Sequence, residues 1–425
     1  MKILIKSGRV IDPANKINAL LDVLVEDAKI TKVARNIRLG ADKIIAAENK
    51  LVLPGLVDMH VHLREPGRED KETIGSGTKA SLHGGVTSVL AMPNTTPAID
   101  SVGHLKILQE AIKKGGQANV FICAALTKER RGEEINDIVS LQKAGVIAIS
   151  DDGSSVDADA VMLEAFRSAK EAKLLVICHS EDKQLSRQGV VNLGFTSTRL
   201  GLRGISAESE YKRVERDIKL AKEAGARVHI AHVSCKESVE IISRAKKQGV
   251  KVTCETCPHY FTFGEEAVAG YDTNFKMNPP LRAKEDILAI RKALSSGVID
   301  VIASDHAPHT ENEKDIEFER AEFGVVGLET ELAATITALI ANNLLDWGRL
   351  VLAMSLFPSR ILGIDKGTLS VGADADIIVL DPEKEWLVQK ENLLSKSKNS
   401  PFIGHSLKGL VEYTLCKGKV HQWNS

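Results

Sequence analysis

Between residues 51 and 305 the chain alternates short apolar runs with longer segments whose apolar residues recur at intervals of three and four. The runs occupy 51–62, 85–94, 119–126, 146–152, 174–179, 228–233, 250–257 and 298–305. Each is brief and rich in Val, Ile and Leu, the pattern of a strand buried on both faces. Between them lie stretches such as HLKILQEAIKKGG (104–116) and ESVEIISRAKKQG (237–249), which carry the helical period and close on glycine. Helices with C-terminal glycine caps read this way. Eight buried strands alternating with helices predict an α/β fold, a (β/α)8 TIM barrel.

The two ends of the chain have a different rhythm. KILIKSGRVID and DVLVEDAKITKVA near the start, and GTLSVGADADIIVLD and LVEYTLCKGKVHQW near the end, are strand-like without a helix-sized segment between them. They predict one small β-domain built from residues 1–50 and 366–425, with the barrel, 51–365, inserted between its halves. The charged stretch HTENEKDIEFERAEFG (309–324) follows the eighth strand. It reads either as a lid over the barrel mouth or as an ordinary solvated segment.

A length of 425 residues and an apolar fraction of 43% allow a full-sized core with an accessory domain. The net charge of −1, without a basic stripe, argues against nucleic acid as a partner. The start lacks the apolar core of a signal peptide and no apolar run is long enough to span a bilayer. Six cysteines in a chain this long suit reduced thiols, and hence the cytoplasm.

A barrel of this kind makes a demand that can be checked residue by residue. Its chemistry should lie at the C-terminal ends of several strands. The first run ends in DMHVHLREPG, where His60 and His62 share a strand face because side chains alternate. The second ends in Asn94, the fourth in Asp151 and Asp152, and the fifth in His179. The sixth carries His232, and the eighth ends in Asp305. Histidines and aspartates gathered at one mouth can hold two divalent ions, with zinc favoured by imidazole and carboxylate ligands. His60 and His62 suit the first ion and His179 and His232 the second. Asp152 suits the bridge. Asp305 can touch the first ion and act as the acid/base. Such a centre supplies hydroxide at neutral pH and polarises a carbonyl, the chemistry of amide hydrolysis or its reverse. With two aspartates and hydroxide the centre keeps a net charge of about +1. Arg64 adds to it, and beside Asn94 and His309 it makes a donor-rich patch suited to a substrate carboxylate.

DMHVHLREPG, AMPNTTPAID, ISDDG, CHSED, AHVS, NPPLR and SDHAPH follow one another in that order. Together they make the chain resemble, along essentially its whole length, the dihydroorotases of the amidohydrolase superfamily, in their class I bacterial form. The resemblance implies reversible cyclisation of N-carbamoyl-L-aspartate to L-dihydroorotate, the third step of pyrimidine synthesis. It implies a barrel with a small β-sandwich domain. It places His60, His62, Asp152, His179, His232 and Asp305 at metal positions, with Asp305 as acid/base, and implies one or two zinc ions. It also places Arg64, Asn94, Asn278 and His309 at substrate contacts, joined by the backbone around Phe323 and Gly324. A homo-oligomer, or an assembly with an aspartate carbamoyltransferase, is expected on the same ground.

Many relatives in the wider superfamily bridge their metals with a carboxylated lysine after the fourth strand. Here the nearest lysine, Lys143, precedes that strand, so the bridge is expected at Asp152, with Asp151 the alternative if the register slips by one. Two rival functions share these motifs. A neutral-ring hydrolase, such as a dihydropyrimidinase, hydantoinase or allantoinase, gives no reason for Arg64 and Asn278. A non-catalytic subunit supporting the transferase would have lost ligands, and none is missing. GSGTKAS (75–81) lacks phosphate-loop spacing and reads as the start of a helix. Cys254 and Cys257 lack a second pair for zinc and read as core thiols. His259 and His306 are expected either to pack or to orient a neighbour, and His83 and His104 to lie on helix surfaces.

Overall fold

In the computed structural model, which describes residues 1–423, the chain forms two large sheets. Strands β1 (Lys2–Asp12), β2 (Ile17–Glu26), β3 (Lys29–Ala34), β4 (Lys43–Ala46) and β5 (Leu51–Pro54) open the end sheet. The barrel follows with β6 (Leu56–Val61), β7 (Val86–Ala91), β8 (Asn119–Ala124), β9 (Ala148–Ile149) and β10 (Leu175–Cys178). A small outlying pair, β11 (Val191–Asn192) and β12 (Gly204–Ile205), precedes β13 (Val228–Ile230), β14 (Val252–Thr256) and β15 (Val301–Ile302). The end sheet is completed by β16 (Ile377–Leu387), β17 (Ser406–Cys416) and β18 (Lys419–Gln422).

The barrel strands run β6-β7-β8-β9-β10-β13-β14-β15, each parallel to the next. The ring closes where His62 N–H donates to His306 O at 2.9 Å, beside a parallel bridge from Val61 to His306. This is the predicted (β/α)8 barrel. All residues of β6, β7 and β10 are buried, as strands covered on both faces should be. The end sheet runs β18-β17-β16-β5-β1-β2-β3, with β4 also paired to β1. It encloses a core of its own from Ile3, Ile5, Val23, Val25, Ile45, Val52, Ile377, Val379 and Leu415.

The run 51–62 is not one strand. Leu51–Pro54 pairs with β1 and β16 in the end sheet, and only Leu56–Val61 belongs to the barrel. Gly55 is the crossing point: a Cβ there would lie 2.2 Å from Thr87 Oγ1, so only glycine lets the chain pass. Both halves are wholly buried, and hydrophobicity therefore could not reveal the break.

Most other barrel strands are also shorter than their apolar runs, β9 and β15 having two residues each. The ladder stops where the backbone turns to aim side chains into the mouth. Arg64, His232 and Asp305 all adopt positive φ, at 62°, 33° and 47°. A non-glycine residue held there costs on the order of 1 kcal/mol or more, and such residues gather at functional sites. Of the two quoted helices, Lys236–Lys247 is followed by a left-handed Gly249, whereas Val102–Gly115 ends at Gly116 with φ −67°.

Between β16 and β17 the chain leaves the end sheet and crosses to the barrel mouth. There Ser395 Oγ donates to Glu72 at 2.5 Å and Ser397 Oγ to Lys71 O at 2.7 Å. The Asn399 amide donates to Ala307 O and Gly324 O at 3.2 and 3.1 Å. Nothing in the hydrophobic pattern of this segment announces the return.

Candidate active site

His60 and His62 leave β6 on the same face, their ring centroids 5.4 Å apart. Each ring is held by its Nδ1, His60 against Glu255 Oε1 and His62 against Asn94 Oδ1, both at 2.6 Å. That leaves both Nε2 atoms aimed into the mouth. His60 Nε2 lies 3.3 Å from Asp152 Oδ1 and 3.6 Å from Asp305 Oδ1. His62 Nε2 lies 3.1 Å from Asp305 Oδ1 and 3.5 Å from Asp152 Oδ2. Asp152 therefore turns one oxygen to each histidine. Its Oδ1 also faces His179 Nδ1 at 3.7 Å and His232 Nε2 at 3.8 Å. This carboxylate thus faces all four histidines of the mouth. Asp151 instead accepts the N–H groups of Leu126 and Thr127 and the Thr127 hydroxyl. Those are the contacts of a structural carboxylate.

The donors fit a cation. Buried and without hydrogen-bond partners are His60 Nε2 and Asp152 Oδ1. Leaving such atoms unpaired in a closed interior costs about 1–3 kcal/mol each. One donor atom from each of His60, Asp152 and His232 lies within 4.8 Å of the others, and the same holds for His60, His62 and Asp305. His179 approaches the cluster through Nδ1, 2.8 Å from His232 Nε2. Its far nitrogen, Nε2, is 3.2 Å from Glu181 Oε2. Burial lowers the His60 pKa, yet Asp152, Glu255 and Asp305 outweigh it and raise the ring well above an ordinary histidine. Three carboxylates around one imidazole demand positive charge. Burial would raise Asp305, but His60 and His62 hold its carboxyl at about 2.

The remaining expected residues line the same mouth. Arg64 is half-buried and donates from Nε to Pro308 O at 3.1 Å, and its Nη2 lies 3.3 Å from His309 Nε2. Burial lowers it to about 10, against the pull of Asp305 and Asp152, so the guanidinium stays charged. Asn94 reaches His62 and, through Nδ2, Asp152 at 3.5 Å. Asn278 donates to Glu181 at 3.2 Å. Phe323 lies under Lys276 Nζ, 4.6 Å from the ring centroid. Gly324 has φ +129°, and a Cβ on it would meet Ala307 Cβ at 2.7 Å and His309 Nε2 at 3.1 Å. Only glycine keeps that part of the mouth open.

Several residues that shape the site gave no local signal. Glu255 holds His60 and, on its other oxygen, His229 at 3.1 Å. Glu181 joins His179 to Asn278. Lys71 and Asn399 both touch His309. The alternation Thr253-Cys254-Glu255 put Glu255 on one strand face, which was the only available hint. His306 accepts from Gly327 N–H at 3.2 Å through Nδ1 and orients a loop, not a ligand. His259 is buried with Nε2 unpartnered, and burial lowers it to about 4. His83 pairs with Glu329 and His104 with Asp100, at 2.7 and 2.8 Å. Cys254 and Cys257 are free, buried thiols, as expected of a core pair.

Comparison with known proteins places this arrangement. Residues 49–238 match the family model described as dihydro-orotase-like. The dihydroorotase of Elusimicrobium minutum is 53% identical over 420 residues, covering 99% of this chain and 97% of that protein. The dihydroorotase of Citrifermentans bemidjiense is 48% identical over 421 residues, covering 99% of each. Among solved structures, the L-hydantoinase (dihydropyrimidinase) of Arthrobacter aurescens superposes with a TM-score of 0.89 at 25% identity, over 98% of this chain and 95% of that one. A D-hydantoinase from Thermus sp. shares the fold at 22% identity, with a TM-score of 0.86 over 100% and 97% of the two chains. Barrel, ligand cluster and relatedness agree, and the chain belongs to the dihydroorotase family.

Proposed function

We propose that the protein is a dihydroorotase, interconverting N-carbamoyl-L-aspartate with L-dihydroorotate and water in pyrimidine synthesis. The observation that carries this reading is Arg64, a half-buried guanidinium beside His309 in the same mouth as the histidine–aspartate cluster. A ring without a carboxylate offers it nothing. His60, His62, Asp152, His179, His232 and Asp305 would hold one or two metal ions, zinc by the chemistry of the donors. Such ions would polarise the scissile carbonyl and lower the pKa of water. Asp305 takes the proton of the attacking water and hands it to the leaving ring nitrogen, and runs the same transfer backwards in ring closure. Arg64 and His309 bind the substrate carboxylate, assisted by Asn278 and the backbone at Phe323 and Gly324. Asn94 spends its carbonyl on His62 and offers its amide to the substrate.

Among the described residues no helix is long and apolar enough to cross a membrane. All six cysteines are free and buried, which supports a reducing compartment, the cytoplasm. A homo-oligomer, and association with an aspartate carbamoyltransferase, belong to the same proposal and are read by co-elution.

The test is a paired assay on zinc-reconstituted protein offered dihydroorotate or dihydrouracil, with metal measured on the same sample. Turnover of dihydroorotate alone is expected, with KM raised by about two orders of magnitude in Arg64→Met as a buried carboxylate loses its charged partner. Turnover of dihydrouracil would move the protein to the neutral-ring hydrolases. No turnover with metal bound would favour a supporting subunit of the transferase.

A further inference from the structure

Lys71 belongs neither to the ligand set nor to the substrate contacts proposed above. Its side chain is nonetheless buried, with Nζ 3.0 Å from His309 Nδ1 and 2.9 Å from Glu313 Oε1. An ammonium has three donors and no acceptor. It can meet an imidazole nitrogen at 3.0 Å only by donating to a lone pair. His309 Nδ1 is then the bare nitrogen, and the hydrogen of the neutral ring sits on Nε2. Burial lowers the Lys71 pKa, and Glu313 works against it by hydrogen bond and charge, favouring the ammonium form that this requires.

On its other side, His309 Nε2 lies 3.3 Å from Arg64 Nη2, which is also donor-only. A neutral ring has one lone pair, and donor-only cations face both of its nitrogens. The nearer, Lys71 at 3.0 Å against Arg64 at 3.3 Å, takes it, which leaves the N–H groups of Arg64 and His309 Nε2 facing one gap. A carboxylate oxygen placed there would accept from both. The ring is fixed from behind as well, because Asn399 Oδ1 accepts the His309 backbone N–H at 3.1 Å. Burial and the cations Arg64 and Lys71 keep the imidazole uncharged.

We propose that Lys71 is a positioning residue that holds His309 in its Nε2–H tautomer, so that His309 and Arg64 donate together to the substrate carboxylate. The substrate half of this statement rests on the dihydroorotase reading; the tautomer does not. Without Lys71, Glu313 Oε2, 3.6 Å from Nδ1, becomes the natural acceptor for a hydrogen on Nδ1. Nε2 would then accept from Arg64 and stop donating to the substrate.

The experiment is nitrogen NMR of the metal-loaded protein carrying 15N-histidine, with His309 identified by the signals lost in His309→Gln. The expected pattern is an unprotonated Nδ1 and a protonated Nε2 in the wild type and in Lys71→Arg, and the reverse in Lys71→Met. Kinetics on the same proteins should show KM for dihydroorotate raised at least about tenfold in Lys71→Met, with a smaller fall in kcat and recovery in Lys71→Arg. An unprotonated Nε2 in the wild type overturns the proposal. So does an unchanged tautomer or an unchanged KM in Lys71→Met. The tautomer is read without substrate, so a wild type that turned over no dihydroorotate would overturn the functional reading and leave the tautomer result standing.

Discussion

At Glu255 both carboxylate oxygens face histidine rings, His60 at 2.6 Å and His229 at 3.1 Å. Burial would raise its pKa, but these two rings outweigh burial and keep it ionised. The carboxylate thereby sets which nitrogen of His60 carries hydrogen and which is free for a metal. Replacing such a partner typically lowers metal affinity about 10- to 100-fold. Glu255→Gln is expected to lose metal to a competing chelator in that range while its fold and thermal midpoint change little; wild-type retention would reduce Glu255 to packing. The proposed ligands themselves were legible because each ends an apolar run at the place a barrel puts its chemistry. Glu255 was not, since it lies inside a run between two core thiols. Lys71 was hidden for the opposite reason, as one charge within the charged run RED-KET (68–73).

At the scale of elements, the 309–324 strap is held by two buried lysines. Lys314 Nζ donates to Glu322 O at 2.9 Å, Gly324 O at 3.0 Å and Lys276 O at 3.3 Å. Lys276 Nζ donates to Phe318 O and Glu319 O at 2.7 and 3.0 Å. One amine thus replaces the ladder partners a strand would supply to an irregular segment. Lys314→Met should leave the Glu322 carbonyl unpaired, take one of two donors from the Gly324 and Lys276 carbonyls, and cost about 1–3 kcal/mol by denaturant titration. Faster amide exchange confined to 318–324 would accompany it, and unchanged exchange there would show that the strap holds itself. A segment of sixteen residues, 309–324, with this many charges reads as solvated because sequence shows the charges and not the carbonyls they serve. The hidden break at Gly55 has a related cause: the pattern reports burial, not which sheet provides it.

At the scale of the molecule, the segment between β16 and β17 of the end sheet contributes to the barrel mouth. Asn399 bonds Ala307, Gly324 and His309 from a segment lying between two end-sheet strands. Asn399→Asp keeps an acceptor for the His309 N–H but loses both donors to carbonyls. We expect its KM to rise about tenfold with full metal content; a KM like that of the wild type would make the contact incidental. No periodicity encodes this contact, whose partners lie 92 positions apart in sequence. The barrel was legible because its pattern is local and repeated; the lacing across the mouth is neither.

The same lacing imposes an order in time. A growing chain that has emerged as far as Asp305 has already delivered every proposed metal ligand, yet Ser395, Ser397 and Asn399 are still unmade. Until they arrive, the carbonyls of Lys71, Ala307 and Gly324 lack those donors and Glu72 lacks the Ser395 hydroxyl. On the ribosome, the residues for the chemistry come first and the frame that holds them for the substrate comes last.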